Sequence, residues 1–459
     1  MQVSITREAR RFAVRELATR AGFNPHECLI EISDDQTSLY LDRSRSAEVV
    51  FPHRVRQFDR NTLHTVRCSW ISNGGSSRWP LVPDFVVPSC AETADVQSLF
   101  VIEDRRARCT VDLGASVLFS LSRIEERLSL DRDQHGRFPA SASVSVRDDY
   151  LHRPIVDEYG LAIDEAIQRI VPAWRPQSAP FRAFVTQDVD SIGIPFNPWS
   201  TARRLLHTHN IGHAVRDMAT VLGGEKPAEL ESVREIATLA ACHGLRSAAF
   251  WKTGARTEYD TGYDVSHSSV TRVVSDLRTA GVDIGIHPSY YTFEDLSRLA
   301  EEVRTLREHL GQECVGGRQH YLRWSPRTWR DWESCGLAYD SSVGFAERPG
   351  FRAGTAVPYQ PWLLEENRQA TLLEIPLILM DRTLCHYMAL SDSEAVPLAV
   401  ELISRVKAVG GVFTLLWHNE LLFDSRYRSL YVAILQQLAG AAVYDLDSEV
   451  PARRVKNAA

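Results

Sequence analysis

Beyond residue 181 the chain alternates between short apolar runs and longer stretches whose apolar positions recur at helical spacing. The runs 183–186, 248–251, 282–286, 374–380 and 412–417 predict strands. Between them, 230–243, 269–280, 294–310 and 395–409 predict helices. Gly281 and Gly311 stand just past two of these, where a helix stop is expected. Such alternation predicts a parallel sheet with helices outside it, a barrel or part of one. Before residue 181 the pattern is different. A helix is predicted over 7–21, β-like runs over 28–32 and 37–41, a turn-rich loop over 72–77 and a helix over 115–128. Residues 136–139 break that last helix, and Pro172, Pro176 and Pro180 read as a hinge. The expected organisation is an N-terminal α/β domain over 1–155, a Pro-rich linker over 156–180, a barrel over 181–446 and a tail over 447–459. The fold class is therefore α/β, a distorted (β/α) barrel preceded by a smaller α/β domain. No internal repeat is visible.

Composition narrows the class. At 459 residues, two or three domains are expected. With 44% apolar and 24% charged residues the chain is globular rather than disordered. A net charge of −7 gives no pull toward nucleic acid, so no nucleic-acid partner is expected. The eight cysteines form no CxxC pair. That argues against a thiolate zinc site and a disulfide framework, and reduced thiols are expected. Charges at Arg10, Arg11, Arg15 and Glu16 interrupt any apolar leader. No apolar run approaches the ~20 residues that span a bilayer. The expectation is a cytoplasmic protein with no transmembrane segment.

Function in a parallel barrel sits at the C-terminal ends of the strands. Asp188 and Asp190 follow the first predicted strand, His287 follows 282–286, and His418 follows 412–417. Arg318 and His320 follow a β-like turn at 315–317. Singly, each has an ordinary reading as a turn, cap or surface residue. Their agreement at four strand ends points to chemistry. Asp and neutral His suit zinc and its neighbours. Such a metal lowers the pKa of bound water and polarises a carbonyl. Carboxylates at i and i+2 on a strand share a face, so one can hold metal while the other takes a proton. A second histidine can protonate a leaving amine. His207, His209 and His213 also lie close in sequence, with His209 and His213 at i, i+4. They lack a helper carboxylate and read as a surface helix.

From about residue 181 to 445 these motifs resemble the polysaccharide deacetylases with a NodB-homology domain, carbohydrate esterase family four. Phe184-Val185-Thr186-Gln187-Asp188-Val189-Asp190 resembles the first motif of that family, Gly285-Ile286-His287-Pro288-Ser289-Tyr290-Tyr291 the second, Arg318-Gln319-His320-Tyr321 the third and Leu416-Trp417-His418 the last. Residues before 181 resemble the extra N-terminal domain of a bacterial subgroup. The resemblance implies Asp188 as general base, Arg318 as its support, His418 as general acid, and Asp190 and His287 as ligands of a divalent metal, with zinc the expected ion. It implies removal of an N-acetyl group from an amino sugar or polysaccharide precursor. Three positions depart from the pattern. Tyr291 stands where the second metal histidine is expected, His320 replaces a proline, and Gln187 replaces a histidine. His320 is the expected substitute ligand. Tyr290, Tyr291, Tyr321, Trp324 and Trp362 are candidates for sugar binding, with Tyr291, Tyr321 and Trp324 foremost. Asp340 or Asp381 is expected to orient His418, with Asp340 preferred. Two alternatives stand beside this reading: a hydrolase of a non-sugar linear or cyclic amide, and a catalytically silent carbohydrate-binding or scaffold protein.

Overall fold

The computed structural model describes residues 2–24, 28–71, 84–90, 98–193, 228–254, 256–311 and 316–450. The three clustered histidines at 207, 209 and 213 lie outside them, as does the loop 72–77.

From residue 182 onward nine strands form one sheet, labelled here in chain order: β1 Arg182–Val189, β2 Ser247–Trp251, β3 Asp283–Ile286, β4 Gly316–Gly317, β5 Tyr339–Asp340, β6 Leu373–Glu374, β7 Leu379–Met380, β8 Val412–His418 and β9 Ala442–Val443. The main order is β6-β5-β4-β3-β2-β1-β8-β7, with β9 beside the start of β1. Every pairing is parallel. Residues of β2, β3 and β8 are buried throughout. A parallel sheet covered on both faces buries its strands in this way and favours apolar runs in them. The covering helices include Ala228–Cys242, Ser268–Thr279, Leu296–Leu310 and Asp392–Val409. Their ends follow local chemistry. Asp295 caps the third by accepting from the Arg298 N–H, and Gly410 ends the fourth in the left-handed region at φ 64°.

The single strand expected over 374–380 is two strands at opposite edges of the sheet. Pro376 has no N–H to donate, so the ladder breaks there. Ile375 donates to the Asp340 carbonyl, whereas Ile378 donates to that of Thr414. Only residues 375–378 separate β6 from β7. At no more than about 3.5 Å per residue, so short a connection forces the two edges to face each other. The sheet is therefore a curled, open barrel.

The N-terminal part holds a seven-stranded mixed sheet, in the order Leu29–Ile32, Gln36–Tyr40, Glu48–Pro52, Arg106–Cys109, Ser98–Glu103, His64–Ile71 and Phe85–Ser89. Helices Arg7–Arg20, Leu113–Leu121 and Ile155–Ile170 pack with it. The helix expected over 115–128 is broken at Arg123, which sits at φ 50° between Leu113–Leu121 and Ile124–Leu128. The linker expected over 156–180 begins instead with a 16-residue helix. Ile155, Tyr159, Ala162, Ile163, Ala166, Ile167 and Ile170 form its buried stripe, at the spacing of one helix face. The expected boundary at 446/447 falls inside a short helix, Leu446–Glu449, whose Leu446 is fully buried.

The two parts share one continuous core, in which the rings of Phe12 and Trp362 lie 5.5 Å apart. Buried polar contacts cross between them, among them the Glu126–Arg352 ion pair. Asp157 accepts from Arg20 Nε at 2.8 Å, from Thr355 Oγ1 at 2.6 Å and from the Ala356 N–H at 2.7 Å. Glu126 takes a two-pronged contact from Arg352, at 2.9 and 2.6 Å, and a third from Arg123 at 2.8 Å. Removing one partner from such a pair strands a buried charge, a loss of about 3–5 kcal/mol.

Candidate active site

The strand order brings the C-terminal ends of β1, β2, β3, β4 and β8 to one mouth. In register, Asp188 of β1 lies beside His418 of β8 and Phe250 of β2. Gly317 is the closest backbone approach: a Cβ there would lie 1.8 Å from the Ile286 carbonyl oxygen. That approach lets the Arg318 N–H reach the same carbonyl at 3.0 Å and sets Arg318 next to His287. A cleft of about 390 Å³ opens over these ends.

Six residues singled out in the sequence converge here: Asp188, Asp190, His287, Arg318, His320 and His418. Arg318 is wholly buried. Its Nη1 donates to Asp188 Oδ1 and to Thr186 Oγ1, both at 2.9 Å, which fixes two same-face residues of β1 at once. Its Nε and Nη2 bind Ser341 at 2.8 and 3.0 Å. His418 donates from Nδ1 to Asp381 Oδ1 at 2.7 Å, and its backbone N–H meets Asp381 Oδ2 at 2.5 Å. Burial favours the neutral ring, but the Asp381 carboxylate outweighs it and raises the His418 pKa.

Asp190 faces two imidazoles. His287 Nε2 lies 3.3 Å and His320 Nε2 3.5 Å from Asp190 Oδ1. Each ring is held from behind: His287 donates from Nδ1 to the Arg318 carbonyl at 2.8 Å, and His320 Nδ1 lies 2.7 Å from Asp260 Oδ1. Both rings thus turn Nε2 lone pairs toward Asp190. Burial and the nearby Lys252 ammonium push His320 down to about 4, so it is neutral at pH 7. Burial works against ionising Asp190, yet Lys252 and the surrounding imidazoles hold its carboxyl well below the usual range.

The donor set fits a divalent ion. No donor among the described residues meets Asp190 Oδ1 or His287 Nε2 in hydrogen-bonding geometry, although both atoms are buried. Ligands about 2.1 Å from a tetrahedral zinc stand about 3.4 Å apart, close to the separations found here. Backing of ligand imidazoles by a carbonyl and a carboxylate is the usual outer support of such a site.

Several expectations do not hold. Asp340 does not orient His418. It lies in β5, fully buried, accepting from the Ser342 N–H at 3.0 Å, and its register partner is Glu374. Burial pushes Asp340 up to about 6, and burial together with Asp340 raises Glu374 far above the usual range. Asp381 does the orienting, because it ends β7 beside β8. Trp324 is 1% exposed and packs edge-on against Trp329 at 4.6 Å, so it is core. Trp362 is likewise buried. Tyr291 points outward, 37% exposed, and its hydroxyl binds Glu258. Gln187 faces away from the cleft, donating to the Val233 carbonyl of helix Ala228–Cys242 at 3.1 Å. Of the three foremost sugar-binding candidates, Tyr321 alone lines the cleft.

Four site residues escaped notice: Lys252, Asp260, Arg137 and Arg382. Lys252 directly follows β2, so the strand-end rule applied to 248–251 finds it. Asp260 sits in a loop and carries no periodic signal. Arg137 comes from the N-terminal part, outside the strand ends that the parallel-barrel rule inspects. Its Nη1 donates to the Tyr321 carbonyl at 2.9 Å, while Asp133 pairs with it at 2.7 Å. Tyr321 and Leu322 stand at φ 59° and 52°. Each such residue stores about 1–3 kcal/mol of strain, held by surrounding contacts. Arg137 is one of those contacts; another is Arg323, whose Nε binds the His135 carbonyl at 2.8 Å.

Residues 49–172 match a family of unknown function, DUF7033. No curated protein sequence matches the chain. Solved structures include similar folds. A protein assigned as a polysaccharide deacetylase from Mycobacterium smegmatis is 14% identical with a TM-score of 0.42, covering 62% of this chain and 93% of its own. The allantoinase Puue is 14% identical with a TM-score of 0.41, covering 60% and 89%. The family 4 carbohydrate esterase from Streptomyces lividans, in complex with acetate, is 11% identical with a TM-score of 0.31, covering 57% and 90%.

Proposed function

We propose that this protein is a metal-dependent hydrolase that removes an N-acyl group, foremost N-acetyl, from an amino sugar or a polysaccharide precursor. The observation that carries the reading is the convergence of two back-anchored imidazoles on Asp190, between a carboxylate held by arginine and a histidine held by aspartate. Asp190, His287 and His320 would hold the ion. When bound, a divalent metal supplies Lewis acidity toward the acyl oxygen and acidifies a water molecule.

The remaining steps belong to the chain's own groups. Asp188 Oδ1 is held by Arg318 while Oδ2 lies 3.6 Å from His287 Nδ1, and Oδ2 can take a proton from the attacking water. His418, with Nδ1 committed to Asp381, presents Nε2 to the cleft and donates a proton to the leaving nitrogen. An amine leaves as the protonated species, because the amide anion is far too basic. Tyr321 offers a ring face at the cleft wall for a sugar.

The test is acetate release from N-acetylhexosamine oligomers by zinc-loaded protein. Turnover by wild type that vanishes in Asp188→Asn supports the reading. Absence of acetate release alongside hydrolysis of a cyclic ureide would move the activity to non-sugar amides.

A further inference from the structure

The ligand cluster already contains a cation. Lys252 is 2% exposed, and its ammonium has three close contacts. It lies 3.0 Å from Asp190 Oδ1, 2.9 Å from His320 Nε2 and 3.3 Å from Asp260 Oδ1. The first two are atoms that a metal would use. The other charges of the cleft have partners of their own: Arg318 with Asp188, His418 with Asp381, and Arg382 with Glu420. The latter two cations approach Asp190 Oδ2 only at 3.7 Å.

We propose that Lys252 is a tethered cation that occupies the ligand set when no divalent ion is bound, so that metal uptake requires its displacement and Lys252 sets the metal affinity. This rests on the metal-site reading above. The lone pair of His320 Nε2, engaged by the ammonium at 2.9 Å, is not available to a metal, and two cations sharing Asp190 Oδ1 within a water-poor pocket repel strongly. The flexible four-carbon stem allows the ammonium to withdraw, with Asp260 as the carboxylate it can keep. The arrangement neutralises Asp190 in the metal-free protein and favours ions that bind nitrogen and carboxylate ligands tightly enough to expel the amine.

The experiment compares full-length wild type, Lys252→Met and Lys252→Arg, each stripped with chelator and titrated with zinc by calorimetry in the presence of a competing chelator. Cobalt absorption serves as a second readout. Lys252→Met keeps the stem and removes the charge. It is expected to bind zinc at least tenfold more tightly than wild type, while its metal-free form melts at a lower temperature. Lys252→Arg keeps the charge and is expected to bind no more tightly than wild type. Zinc binding by Lys252→Met alone would also support displacement. Equal or weaker binding by Lys252→Met would overturn the proposal and leave the metal site standing. Failure of every form to bind zinc or cobalt would overturn both. If Lys252→Met does not fold, Lys252→Gln takes its place in the same comparison.

Discussion

The two sides of the cleft are built on different principles. On one side, the side chains of Asp188 and His418 each hydrogen-bond to one residue, Arg318 and Asp381. On the other, Asp190, His287, His320, Asp260 and Lys252 share one another in a web where atoms serve several partners. A dedicated pair fixes orientation. A shared web leaves lone pairs waiting for whichever cation arrives. Groups that move protons need the first arrangement, and groups that bind an exchangeable ion need the second.

The largest expected effect breaks the dedicated side. Asp188→Asn and His418→Ala should each lower kcat by about 10²–10⁴-fold with little change in KM, measured as acetate release. Wild-type turnover in either would remove that residue from the reaction. Next comes packing beneath the cleft. Trp324→Ala should destabilise the fold by about 3–5 kcal/mol in denaturant unfolding, with KM of the folded protein unaltered. A raised KM at unchanged stability would return Trp324 to the substrate. On the shared side, Asp260→Asn should weaken zinc binding about 10–100-fold by releasing His320. Unchanged affinity would mean that His320 does not ligate.

The smallest effect concerns the buried pair of Asp340 and Glu374. Burial raises Asp340 from its ordinary value to about 6. A folded-state pKa above the unfolded one stabilises while the group is protonated. That contribution is complete below about pH 4 and is lost as the pH climbs through 6. Asp340→Asn should therefore flatten the decline of Tm between pH 4 and 7, an effect of order 1 kcal/mol because Glu374 takes part in the same titration. An identical pH profile in the variant would exclude the pair as its source.

Much of the cleft was legible because strand ends are easy to find in a parallel barrel. Asp188, Asp190, His287 and His418 each follow an apolar run, and a parallel sheet sends all such ends to one mouth. Lys252 obeys the same rule and was missed because a single lysine after a strand looks like a solvated residue. Asp260 could not be found that way. Its place depends on how residues 256–267 fold back, where no periodicity guides the eye. Aromatic residues misled in the opposite direction: tryptophans near a catalytic motif suggest sugar stacking, yet Trp324 and Trp362 serve the core. The linker reading of 156–180 weighed the prolines at 172, 176 and 180 above the helical stripe just before them. The strand reading of 374–380 made the reverse error and overlooked Pro376.

The left-handed turn at Tyr321 and Leu322 has a practical consequence. Its braces, Arg137 and the His135 carbonyl, lie before residue 181, more than 180 positions away along the chain. A barrel excised at that boundary would keep Asp188, Asp190, Lys252, Asp260, His287, Arg318, His320 and His418. It would also free a strained turn directly after His320 and lay bare the apolar face that meets Phe12. The smallest transplantable unit is therefore larger than the barrel. Anyone trimming this protein for engineering should cut elsewhere and treat the N-terminal half as part of the cleft's scaffolding.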